Sequence, residues 1–166
     1  MNSLAPQAGS SIVVFGCGSV GLSAVMAARV VGCETIIAVD LNESRLELAT
    51  SLGATHTLVP GEGDVVEKVH GMTGGGADYS LECTALPAVF RQAVDCLSVT
   101  GVCGLVGAAP MGTEVSLDMN SIMFGRTVKG IIEGDSIPDQ FIPKLVELYV
   151  AGEFPIDKLI SFYPLE

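Results

Sequence analysis

Short apolar runs alternate along the chain with stretches of helical periodicity, and a turn falls between most of them. Ile12-Val13-Val14-Phe15 is a β-branched run ending at Gly16, and its lack of polar alternation predicts a strand buried on both faces. A helical segment rich in Ala, Leu and Met follows over 20–31, closed by Gly32 as a C-cap. Thr35-Ile36-Ile37-Ala38-Val39 predicts a second strand ending at Asp40, and Asn42 caps a helix through Leu52 that stops at Gly53. A weak third strand over 57–59 precedes Pro60, and Val65 and Val69 share one face of a helix placed over 62–72. The glycines at 74–76 predict a loop, residues 78–83 a fourth strand, and Pro87 the first turn of a helix to about Leu97. Residues 102–106 form the fifth strand, ended by Gly107.

Beyond Gly107 the rhythm changes. Residues 114–118 alternate as a short exposed strand does, 120–124 make a brief helical turn, 126–132 form a sixth run of the main sheet, and 139–151 a helix ended by Gly152. Strands alternating with helices of about ten to fifteen residues predict an α/β protein, a doubly wound parallel sheet in one three-layer domain. No repeat and no linker interrupts it.

Composition agrees with a packed domain and narrows its partners. Of 166 residues 49% are hydrophobic and 16% charged, which excludes a disordered chain. Eight Lys and Arg against nineteen Asp and Glu give a net charge of −11. Such a surface repels phosphate backbones and anionic lipid, so nucleic-acid and membrane-surface partners are not expected. The most hydropathic stretch, 11–32, carries Arg29 and glycines at 16, 18 and 21, which suits a buried strand-turn-helix and not a membrane span. Five cysteines, an odd number without C-x-x-C spacing, are expected as buried free thiols in a reducing compartment. Residues 1–9 lack the basic start of a signal peptide, and a cytoplasmic location is expected.

Candidate chemistry sits at the first turn. Gly16-Cys17-Gly18-Ser19-Val20-Gly21 is G-x-G-x-x-G, directly after a strand and opening a helix. The first glycine permits the turn, the second lets backbone approach a pyrophosphate, and the third lets helix and strand pack closely. Free N–H groups of Ser19 and Val20 at the helix start suit phosphate oxygens. Asp40 lies nineteen residues past Gly21 at the end of the second strand. There a carboxylate accepts both adenosine ribose hydroxyls and repels a 2′-phosphate, so the pattern predicts a Rossmann fold that prefers NAD over NADP. The alternative for Asp40 is a strand-end aspartate that only caps the next helix.

With these residues in view, the chain resembles the medium-chain dehydrogenases of the zinc-dependent alcohol dehydrogenase type. The resemblance is carried by Val-Phe-Gly-Cys-Gly-Ser-Val-Gly (14–21), Val-Asp-Leu-Asn (39–42), Leu-Gly-Ala-Thr (52–55), Gly-Gly-Ala-Asp-Tyr (75–79) and Gly-Arg-Thr-Val-Lys-Gly (125–130). Ile-Ile-Glu-Gly-Asp-Ser (131–136) is most similar to the aryl (benzyl) alcohol branch. By position the resemblance implies further cofactor contacts. Leu41 and Arg45 would lie at the adenosine ribose, although Arg45 also reads as a solvated first-turn charge. Cys83, Thr84 and Ala85 would line the cleft, and Val106, Gly107 and Ala108 would lie beside the nicotinamide. Backbone groups of Ile131 and Glu133 would meet the carboxamide. For these last segments the alternative is plain strand-end packing.

The same resemblance implies a catalytic zinc site built by a preceding domain. His56 and His70 are the only histidines, far apart and without cysteines at ligand spacing, so no catalytic residue and no metal ligand is assigned. The expectation is a dinucleotide-binding domain over 1–166 with the catalytic zinc-binding domain absent, serving hydride transfer between a primary alcohol, aromatic alcohols included, and NAD, and inactive alone. A polyol or threonine dehydrogenase cofactor domain is the alternative within the class. Outside it stand a non-enzymatic NAD-sensing module and an S-adenosylmethionine methyltransferase. The alcohol or aldehyde would bind only with the missing domain. The 127–132 run, in which Lys129 is the only charge and no proline occurs, is expected as the outermost strand and the seam of a homodimer.

Overall fold

Strands without polar alternation need cover on both faces, and the chain supplies it by crossing the sheet with helices. The computed structural model describes residues 1–165; Glu166, the last residue of the expected domain, lies outside them. Six parallel strands form one sheet: β1 Ser11–Phe15, β2 Thr35–Val39, β3 His56–Leu58, β4 Ala77–Glu82, β5 Leu97–Leu105 and β6 Thr127–Gly130. Their order is β3-β2-β1-β4-β5-β6, which places β6 at an edge as expected. The helices are α1 Ser19–Val31, α2 Glu43–Leu52, α3 Val65–Thr73, α4 Pro87–Asp95, α5 Met119–Met123 and α6 Pro138–Val150.

Alternate residues of β1 feed two cores. Ile12 and Val14 pack with Val25, Met26 and Leu52 under α1 and α2, while Val13 and Phe15 pack with Val69, Val94 and Leu97 under α3 and α4. This is the three-layer, doubly wound arrangement. The chain runs outward from β1 to β3, then returns across the sheet to β4, so the winding reverses between β1 and β4. At such a reversal the loops at the carboxyl ends part and leave a crevice.

Several expected boundaries move, each for a local reason. The helix expected over 62–72 begins only at Val65, because the Asp64 carboxylate accepts from the amides of Val66 (2.8 Å) and Glu67 (3.3 Å). The helix expected to reach Leu97 ends at Asp95. Leu97 instead opens β5, whose first carbonyls, Leu97 and Ser98, accept from the Arg126 guanidinium at 2.6 and 3.2 Å. Residues 114–118 form no strand. Their alternation reflects Leu117 packing on the second core, with the Arg91 guanidinium donating to the Ser116 carbonyl at 2.9 Å. The sixth run narrows to 127–130, after which a 3-10 turn, Glu133–Asp135, takes the left-handed φ of 52° at Glu133 and 51° at Asp135.

Candidate functional site

The crevice is built from the first βα turn. Gly16 takes φ +89°, and its amide donates to the Val39 carbonyl at 2.8 Å, joining the turn to β2. At Gly21 a Cβ would fall 1.8 Å from the Gly16 carbonyl oxygen, so only glycine lets α1 start this close to β1. Gly18 is different. A Cβ there meets nothing within 4 Å, so its backbone faces open space. It caps α1 without any side-chain acceptor, and no acidic residue stands in that first turn. A positive helix end left open in this way accepts an anion that brings its own oxygens. α2 and α3 by contrast are capped by the side chains of Asn42 and Asp64.

Asp40 faces this turn from the end of β2. Its Oδ2 accepts from the Cys17 amide at 2.7 Å and its Oδ1 from the Asn42 amide at 2.8 Å. The Arg45 guanidinium lies 3.8 Å from Oδ2, with the carboxylate 9% exposed and the arginine 55%. That pair is half in solvent and contributes little to stability. Burial, and then the Asp40 carboxylate, push the Cys17 thiol up to about 12. Burial does the same to Cys83, followed by the Glu82 carboxylate and Cys17, again to about 12. Both are neutral thiols at physiological pH and no nucleophiles.

Two adjoining cavities receive most of the expected residues. One, about 940 Å³, is lined by Gly16, Gly18, Asp40, Leu41, Arg45 and the β4 end at Cys83 and Thr84. The next, about 550 Å³, is lined by Ala85, Val106, Gly107, Ala108 and Ile131, and Leu86 borders both. Val20 stands on a third, apolar cavity of about 380 Å³ that it shares with Val106 and Ile131. Ser19, Gly21 and Glu133 line none of the three. The two histidines stay apart from this crevice: His56 contacts the Thr55 hydroxyl at 2.9 Å, and His70 the Asp95 carbonyl at 3.2 Å.

One residue of the site escaped sequence reasoning. Glu82, the last residue of β4, is fully buried among the ends of three strands. The available signal was a lone acid inside an apolar run, Leu81-Glu82-Cys83, at a strand position expected to be buried.

A glycine turn opening an uncapped helix, a strand-end carboxylate tied to that turn, and a crevice at the winding reversal together define a dinucleotide-binding α/β domain. Comparison with known proteins narrows the class. Residues 19–151 match the family described as zinc-binding dehydrogenase, and the chain belongs to that family. It is 41% identical to geraniol dehydrogenase of Castellaniella defragrans over 98% of this chain and 44% of that one. Among solved structures, an alcohol dehydrogenase zinc-binding domain protein from Burkholderia ambifaria is 54% identical with a TM-score of 0.96, covering 98% of this chain and 44% of that one. Benzyl alcohol dehydrogenase from Acinetobacter calcoaceticus is 45% identical with a TM-score of 0.95, covering 98% and 45%. The chain thus spans less than half the length of these relatives.

The family name implies zinc. Among the described residues no group of three or more His, Cys, Asp or Glu is placed to hold a metal ion, and all five cysteines are free. The residues present do not fit a zinc site. They do fit a dinucleotide, through the open Gly18 cradle and the carboxylate beside it.

Proposed function

We propose that the chain is the cofactor-binding part of an NAD-dependent alcohol dehydrogenase. The observation that carries this reading is Asp40, held at the mouth of the Gly16–Gly21 turn by the Cys17 and Asn42 amides. In this reading the pyrophosphate lies over Gly18 against the amides of Ser19 and Val20, with Gly16 and Gly21 shaping the turn. Asp40 takes the adenosine ribose hydroxyls, with Leu41 and Arg45 flanking. Cys83, Thr84 and Ala85 line the middle of the cleft. The nicotinamide lies against Val106, Gly107 and Ala108, with backbone groups of Ile131 and Glu133 at its carboxamide. When bound, the nicotinamide supplies hydride chemistry. The chain's own part is to bind the dinucleotide, fix the ring's face and keep water from it with apolar walls such as Val20, Val106 and Ile131.

The substrate is proposed as a primary alcohol, aromatic alcohols included, on the resemblance of 131–136 to the aryl alcohol branch. A cytoplasmic setting suits five unpaired thiols. A homodimer joined along β6 is proposed because Val128 on that edge strand is exposed, as are Met119, Met123 and Phe124 just before it.

Calorimetric titration of the chain with NADH and NADPH tests the reading. NADH should bind, and NADPH more weakly, because the Asp40 carboxylate repels a 2′-phosphate. Asp40→Ser should narrow the gap by about 1–3 kcal/mol. Equal affinities in the unmodified chain would overturn the NAD preference, and no binding of either would overturn the whole reading.

A further inference from the structure

β4 ends on a charge with no cation in reach. Glu82 is fully buried and makes no ion pair among the described residues. A buried carboxylate is tolerated only where donors satisfy its oxygens, and here all of them come from Thr84 and Ala85, two and three residues further along the chain. Oε1 accepts from the Thr84 amide at 2.6 Å and from the Thr84 hydroxyl, and Oε2 accepts from the Ala85 amide at 3.1 Å. The Thr84 hydroxyl oxygen in turn accepts from the Leu86 amide at 3.2 Å.

The same residue ties in the end of β5. Its carbonyl accepts from the amides of Val106 and Gly107 at 2.9 and 3.0 Å. Gly107 packs so closely that a Cβ would lie 2.3 Å from the Ala85 nitrogen and 2.6 Å from Glu82 Oε2. Ala85 meanwhile holds φ +62°, a left-handed conformation that alanine rarely adopts. A carboxylate gripping both the amide of that residue and the hydroxyl before it is what holds the turn there.

We infer that Glu82 is a positioning residue that shapes the nicotinamide half of the cleft. The inference rests on the cofactor reading above. The contacts of Glu82 with Ala85 and Gly107 fall in that half, and among its partners only Thr84 lines the adenosine-side cavity. Ala85 and Gly107 line the cavity with Ala108 and Ile131, whereas Asp40 is held by Cys17 and Asn42, outside the Glu82 network. Loosening Glu82 therefore lets the floor under the nicotinamide relax while the adenosine end keeps its anchors.

The test compares NADH with ADP-ribose, which keeps the adenosine, both riboses and the pyrophosphate and lacks only the nicotinamide. In Glu82→Gln the amide oxygen can still accept from Thr84, but the new NH2 opposes the Ala85 N–H, donor against donor. Calorimetry should find NADH weakened about tenfold, the loss of one charge-assisted bond, with ADP-ribose changed less than about twofold. Glu82→Gln combined with Ala85→Gly should recover NADH binding to within about threefold, because glycine holds a positive φ unaided. Loss shared equally by the two ligands, no loss at all, or no recovery in the double variant overturns the inference. Should Glu82→Gln not fold, Glu82→Asp, which keeps the carboxylate and shortens its reach to Thr84 and Ala85, is read by the same split. An unmodified chain that binds ADP-ribose and NADH equally overturns the inference alone. One that binds neither overturns the cofactor reading and takes this inference with it.

Discussion

Gly18 and Gly21 belong to one motif and answer to different forces. At Gly21 the neighbour is backbone: the Gly16 oxygen would lie 1.8 Å from an added methyl, and neither the turn nor the helix can yield without repacking. Gly21→Ala is therefore expected to destabilise the fold by about 2–4 kcal/mol, as overpacking against rigid structure does. At Gly18 φ is −75° and the space beside it is empty, so Gly18→Ala should alter stability by less than about 0.5 kcal/mol. The methyl would instead occupy the ground a pyrophosphate needs, and NADH affinity should fall about tenfold or more. Urea melts and calorimetry on the two variants separate the effects. A Gly18→Ala chain with unchanged NADH affinity would remove the phosphate role from this residue.

At the level of elements, β6 exposes one edge. The Ile131 amide donates inward to the Leu105 carbonyl at 2.9 Å, and alternation along a strand then turns the amides of Lys129 inward and those of Val128 and Gly130 outward. Val128→Pro removes an outward donor and spares the ladder with β5. If copies join along this edge, sedimentation at micromolar concentration should find the unmodified chain dimeric and the variant monomeric, each with the same far-UV spectrum. A dimer indifferent to the proline would place the seam elsewhere.

The elements also mark how far the sequence could be read. β1, α1, β2 and α2 were legible because burial pattern, cap residues and glycines all coincide there, and Gly32 and Gly53 close their helices where expected. The end of α4 was not. Val94 and Leu97 are both fully buried, so the apolar pattern runs on through the point where helix becomes strand. What decides that point is the Arg126 guanidinium, about thirty residues away, taking the Leu97 and Ser98 carbonyls. Residues 114–118 misled for the opposite reason, since alternation reports a buried face and not a ladder partner. In the site, the turn and Asp40 follow a fixed spacing, whereas the Glu82 network depends on where β5 ends, and that is a tertiary fact.

Across the whole molecule, four thiols, three of them buried and Cys83 half-buried, are held neutral. Burial pushes Cys17 and Cys83 up to about 12 and Cys103 up to about 11, and it raises Cys96 as well. Raised folded-state values mean that the unfolded chain gives up its thiol protons first. The contribution to stability is complete below about pH 8.5, where both states keep the proton. It drains as pH rises toward the folded-state values, by at most about 1.4 kcal/mol per pH unit for each thiol. Urea melts should hold level from pH 7 to 8.5 and weaken steadily from 9 to 11, and alkylation of the native chain at pH 8 should be slow. Flat stability through pH 10.5 would mean the thiols titrate freely.

Asp40 joins two matters usually treated as separate. The carboxylate said to choose between NAD and NADP also clasps the Cys17 amide of the glycine turn and the Asn42 amide that leads into α2. Its orientation is settled when the protein folds, before any ligand arrives, so a ribose bound as proposed would meet a group that need not reorganise. The same arrangement limits how the preference could change over evolutionary time. A lineage drifting toward a phosphorylated cofactor has to replace two backbone tethers in the step that removes the charge. An Asp40 variant alone would gain tolerance and lose grip on both cofactors at once, so compensation at 17 or 42 should accompany any natural switch.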